Sequence, residues 1–140
     1  MPPLLPALLL AAASPAAVAS AVHVQAAWSR PAAAGAVGVG YAILVNDGAR
    51  PATLTAARSP AARRMSLHAS TMSDGVMHMA AAPALTVPPH GRVELKPGGY
   101  HFMLMGLKAA LKPGDRVPAV LTVDGRPLRV EFQVRHDLPR

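Results

Sequence analysis

The 140-residue chain contains no cysteine. Disulfides, thiolate metal sites, iron–sulfur clusters, thiol nucleophiles and dithiol redox chemistry are therefore excluded. Aromatic residues are nearly as scarce: Trp28, Tyr41, Tyr100, Phe102 and Phe132 are the whole set, too few for a base-stacking platform. Seven carboxylates stand against fourteen lysines and arginines, a formal charge of +7, and the basic residues are scattered along the chain. A solubilising surface accounts for that surplus better than a nucleic-acid footprint, although an acidic protein face or anionic head groups would also be attracted to it. Beyond residue 21 no apolar run approaches the ~18–20 residues that a bilayer span requires. The length suits one domain.

What is present begins with an address. Residues 1–21 hold no charged side chain, and the apolar run over residues 4–13 is too short to span a membrane. It ends in small residues, with Ala17-Val18-Ala19 and Ala19-Ser20-Ala21 both matching an A-x-A cleavage signal. This pattern predicts a cleaved secretory signal peptide over residues 1–21 and a single exported, soluble domain over residues 22–140. Cleavage after Ser20 would expose Ala21-Val22-His23, a square-planar Cu(II) or Ni(II) chelate, but the A-x-A matches favour the neighbouring bonds, which break it.

Glycine and proline then recur in turn-forming clusters: Asn46-Asp47-Gly48, Pro88-Pro89-His90-Gly91, Lys96-Pro97-Gly98-Gly99, Lys112-Pro113-Gly114-Asp115 and Asp124-Gly125. The segments between them have the length of strands and are too short for ordinary helices. In residues 128–135, Leu128, Val130, Phe132 and Val134 alternate with Arg129, Glu131, Gln133 and Arg135, a period of two with one wet face. Residues 117–123 alternate in phase before the Asp124-Gly125 turn, a strong hairpin signal. Further strands are predicted over residues 22–28, 37–45, 52–57, 64–68, 76–79, 92–95 and 101–107. Nine short strands without an amphipathic helix predict an all-β fold, an antiparallel sandwich or Greek-key barrel. Gly35, Gly38 and Gly40 fall inside a strand pattern with no helix following, so close packing of small residues explains them better than a nucleotide loop.

Met65, Met72, Met77, Met79, Met103 and Met105 all lie within residues 65–105, together with His68, His78, His90 and His101. Methionine used only as a core filler would be spread along the chain among Leu and Phe. In a strand, residues i and i+2 share a face about 6.6 Å apart. His101 and Met103 therefore project side by side, as do Met77 and Met79, with His78 opposite. The turn-rich stretch over residues 70–75 can fold the strand of His68 back beside residues 76–79. Thioether sulfur is soft and suits Cu(I), while imidazole serves copper among other metals. Asp74 is the one carboxylate between residues 65 and 93, which disfavours a hard cation. Blue-copper electron transfer needs a thiolate that is absent. The chemistry points to a Cu(I) site used for binding. Met65 and Met105 read as packing, Met77 as a reserve ligand, and Met72, placed in the turn, as a residue that covers the site or takes copper in transit. His78, His90 and His136 read as exposed, with His78 a candidate for Cu(II) at a secondary site.

At these residues the chain resembles a known family. His68, ten intervening residues, Met79, twenty-one more, then His101-x-Met103 match the H-x10-M-x21-H-x-M pattern of the periplasmic copper chaperones with a PCuAC domain. Residues 74–79, 93–107 and 114–118 extend the likeness, which spans about residues 22–134. The resemblance implies a cupredoxin-like β-sandwich with His68, Met79, His101 and Met103 as Cu(I) ligands. It also implies delivery of copper towards the CuA centre of cytochrome c oxidase, through the oxidase's subunit II or another assembly chaperone. Family members often carry Glu after the first His; here it is Ala69, a departure expected to weaken a contact to the imidazole without removing a ligand. The His/Met-rich C-terminal extension of some members is absent from residues 135–140.

The expectation is thus a non-enzymatic, exported Cu(I) metallochaperone of the periplasm, without nucleic-acid partners or stable membrane insertion. Two rivals remain: copper scavenging or tolerance, and a metal-free β-sandwich interaction module whose methionines are core. No acid–base pair or triad at useful spacing supports an enzyme.

Overall fold

A computed structural model describes residues 21–136; the expected signal peptide, apart from Ala21, lies outside them. Ten strands form: β1 (Val22–Ser29), β2 (Gly38–Asn46), β3 (Ala52–Arg58), β4 (Ala62–Ser73), β5 (Val76–Ala81), β6 (Leu85–Val87), β7 (Gly91–Leu95), β8 (Tyr100–Leu107), β9 (Arg116–Val123) and β10 (Arg126–Val134). The fold is all-β, as the alternation predicted. Two strands differ from expectation. The three-residue β6 pairs with β3 and is too short to show a period. β4 does not turn at residue 70 but continues to Ser73, because Ser70, Thr71, Met72 and Ser73 each find a ladder partner on β5.

The hydrogen-bonded order is β5-β4-β8-β2-β1-β10-β9-β3-β6, with β7 also on β2. β2 is shared along one edge: Gly38–Gly40 pair with β8 and Ala42–Asn46 with β7. Every pairing is antiparallel except the short one of β1 with β10, which joins Trp28 and Ser29 to Gln133 and Val134 in parallel. A bulge permits that junction. The register of β1 shifts between Gln25 and Trp28, and Ala26 there takes φ 50°, bending the strand away from β2 towards β10. The ladder so folds into the two layers of a cupredoxin-like β-sandwich, with one continuous cluster of buried side chains between them.

Period-two alternation decides which faces meet. Leu67 on β4, Phe102 and Leu104 on β8, and Phe132 and Val134 on β10 are buried, and the Phe102 and Phe132 rings meet edge to face at 5.8 Å. Burying each ring contributes roughly 1.5–3 kcal/mol. β2 presents its small residues inward. A Cβ on Gly40 would sit 3.1 Å from the Phe132 ring, so the glycine makes room for the phenylalanine, in line with the packing reading of this run. Asn46 ends β2 fully buried. Its amide donates to the carbonyls of Arg50 (2.8 Å) and Val87 (3.2 Å), and its carbonyl accepts from the Gly48 N–H (2.9 Å).

Candidate metal centre

Strands β5, β4 and β8 are neighbours, and the registers between them position the expected ligands. His68 and His101 are direct cross-strand partners, with Met103 opposite Ser66. Met79 is opposite Ser70 and Met77 opposite Met72. Because side chains alternate along a strand, His68, Met79, His101 and Met103 all project from one face, with the core-filling Leu67, Phe102 and Leu104 on the other. His68 is the hub. His101 is directly across, and Met103 and Met79 occupy its diagonal positions on either side, at roughly 7–8 Å.

The four do not converge equally. His68, His101 and Met103 form one cluster, with the two imidazoles stacked at 6.0 Å between centroids and 26° between planes. Met79 lies on the opposite diagonal, towards the hairpin tip, on the order of 15 Å from Met103 by ladder spacing, and it is 61% exposed. Bringing it to the same ion requires the hairpin to bend. His101, in contrast, is 3% exposed. Its Nδ1 lies 3.1 Å from the Gly99 carbonyl oxygen, and since a carbonyl only accepts, Nδ1 carries a proton there, which makes Nε2 the ring position open to a metal. The same carbonyl accepts the Ser70 N–H at 3.1 Å, tying the β7–β8 turn to β4 beside His68.

His68 is held through Nε2 by the Ser66 hydroxyl at 2.9 Å. Burial pushes its pKa below the ordinary histidine value, helped by His101 and then Arg64. All three effects favour the neutral ring, the form that ligates a metal.

Ser66 and the Gly99 carbonyl were not among the residues singled out from sequence. Ser66 lies two residues before His68, and period two already puts it on that face; a backbone carbonyl carries no sequence signal. Ala69 corrects an expectation. It pairs with Tyr100 and alternation turns it to the face opposite His68, so its loss of a carboxylate takes no contact from this imidazole, which Ser66 supports instead. Met105 is corrected too. It is half-buried on the face of Met103, opposite Arg64, whereas Met65 is buried in the core. His78 points away from Met77 and Met79 and, with His90 and His136, is exposed. Among the described residues no three His, Cys, Asp or Glu side chains gather into a metal-holding group.

The model of a family described as "Putative lipoprotein LpqE-like" matches residues 22–134. The chain belongs to this family. It is 34% identical over 111 residues to "Putative lipoprotein Lxx21020" of Leifsonia xyli subsp. xyli, covering 79% of this chain and 66% of that protein, so it spans slightly less than two thirds of that relative's length. Among solved structures it resembles the apo and CuI forms of DR1885 from Deinococcus radiodurans. These are 36% and 35% identical with TM-scores of 0.62 and 0.64, covering 87% of this LpqE-like chain and 83% and 85% of theirs. The copper-bound PCuAC domain of PmoF2, 21% identical over 84% of this chain and 94% of its own, has a TM-score of 0.69 and supports the fold. The LpqE-like chain thus has a PCuAC-type domain, as the motif implied. Among its described residues no helix is long and apolar enough to cross a membrane.

Proposed function

We propose that this LpqE-like protein is an exported Cu(I) metallochaperone that binds its cargo through His68, His101, Met103 and Met79. The observation that carries the reading is the facing of His68 and His101 across β4 and β8 with Met103 on the same face. Two imidazoles with soft thioether sulfur form a donor set suited to Cu(I). Kinship to DR1885, solved with CuI bound, supports the same cargo here. His68, His101 and Met103 are the preformed part, and Met79 joins as the hairpin bends towards the ion. A thioether carries no titrating proton, so the sulfur half of the shell persists across a wide pH range.

The cargo is held and passed on by ligand exchange, with no bond to a substrate made or broken; this is a carrier rather than an enzyme. The proposed compartment is the periplasm, on the strength of residues 1–21 and the lipoprotein description of the family. The proposed recipient is the CuA centre of cytochrome c oxidase, reached directly or through another assembly chaperone, and this step rests on the family resemblance alone. The decisive binding test is the His101→Ala/Met103→Ala double variant in competition with a chromogenic Cu(I) chelator. Stoichiometric binding should be lost; unchanged affinity in the folded variant would overturn the site. Deleting the gene separates delivery from copper tolerance, since delivery predicts loss of oxidase activity and tolerance predicts only sensitivity to high copper.

A further inference from the structure

Beyond the histidines, the tip of the β4–β5 hairpin holds a second concentration of sulfur. Met72 and Met77 are direct cross-strand partners, which sets their Cβ atoms roughly 4.5–5.5 Å apart. Met79 follows Met77 on the same face at about 6.6 Å, diagonal to Met72. All three are exposed, at 68%, 52% and 61%. An exposed two-stranded hairpin gains little from apolar side chains that bury nothing, and polar β-formers would serve it better. Three flexible thioethers on one face can close their sulfurs on a single soft ion. The intervening His78 pairs with Thr71 on the other face.

We infer that Met72, Met77 and Met79 form a second, all-thioether site for a soft monovalent cation, Cu(I) or Ag(I), which serves as the entry point to the histidine site. The geometry gives Met79 the linking position, diagonal to Met72 on one side and to His68 on the other. All three methionines are exposed, His68 is half-buried and His101 is buried, so an ion arriving at the tip exchanges ligands inward through Met79. Each exchange replaces one neutral donor by another on a cation that stays monovalent; no electron or proton changes hands. The entry role rests on the Cu(I)-carrier reading, but the hairpin site itself can be tested apart from it.

The test is a titration of the full chain, carrying 13C-labelled methionine methyls, with Ag(I) as a redox-inert probe. Histidine ring signals are followed in parallel. The wild-type protein should show one event at His68 and His101 and a separate one at the Met72 and Met77 methyls. The Met72→Leu/Met77→Leu variant conserves volume at exposed positions; it should lose the second event, retain the first, and accept Cu(I) from a chelator more slowly. Met72 and Met77 methyls that stay unmoved through two equivalents, or a variant with wild-type stoichiometry, would overturn the hairpin site. This outcome also covers methionines that serve only to dock a protein partner. A response at Met72 and Met77 without one at His68 and His101 would uphold the hairpin site while overturning the carrier reading it feeds.

Discussion

His68 and His101 stand directly opposite each other in the β4–β8 ladder, their rings stacked 6.0 Å apart. One is half-buried and hydrogen-bonded to Ser66; the other is buried and tethered to the Gly99 carbonyl. Two imidazoles so placed can meet on one cation, whereas protonating both would set like charges against each other.

That relationship has a pH signature in the metal-free protein. Burial, His101 and Arg64 hold the His68 pKa below its ordinary value. The unfolded chain therefore takes up a proton that the folded chain resists. Stability is unaffected by this group above about pH 6.5 and declines as pH falls from there towards the lower folded value. An NMR titration of the His68 ring should give a midpoint below that of an unstructured histidine, and Arg64→Gln should move it upward. A midpoint at or above the unstructured value would contradict the assignment.

The two methionines should differ in weight. Met103 already lies beside His101, whereas Met79 reaches the ion only when the hairpin bends. Substituting residues that merely orient a ligand costs roughly 10–100-fold in metal affinity, and Met103→Leu should cost at least about as much. Met79→Leu should cost less, because the preformed cluster survives. Chelator competition on both variants checks the order, and a larger loss for Met79→Leu would mean the site is assembled around the hairpin.

The scaffold makes its own prediction at Phe102, whose side chain is fully buried against Phe132. Phe102→Ala should lose about 3–5 kcal/mol by chemical denaturation. Gly40→Val, which drives a branched side chain into the Phe132 ring, should lose about 1–3 kcal/mol.

Asn46 is the corresponding polar anchor. Asn46→Ala would strand the buried Val87 carbonyl and the half-buried Gly48 N–H, costing about 1–3 kcal/mol. Denaturation midpoints report it directly, and a neutral result would show that water replaces the amide.

Much of this was legible in the chain because its signals are local. The alternation in residues 128–134 and the Asp124-Gly125 turn produce the β9–β10 hairpin, where both turn residues take positive φ. His101-x-Met103 likewise needs only period two to share a face. The rest depends on partners distant in sequence. Nothing local shows that β4 continues to Ser73, since Ser70, Thr71 and Ser73 resemble a turn until β5 pairs with them. The short β6 exists because β3 offers it a ladder. The parallel β1–β10 junction arises from a bulge at Ala26, and alanine does not advertise positive φ. At the site, the family resemblance implied Met79 as a ligand whose convergence depends on folding, and the registers put it across His68 from Met103.

X-ray absorption on the Cu(I)-loaded protein tests the central claim most directly. The proposed site predicts a mixed first shell, with nitrogen scatterers from His68 and His101 and sulfur from methionine, and a weaker sulfur contribution in Met103→Leu. A shell of nitrogen and oxygen alone would contradict it.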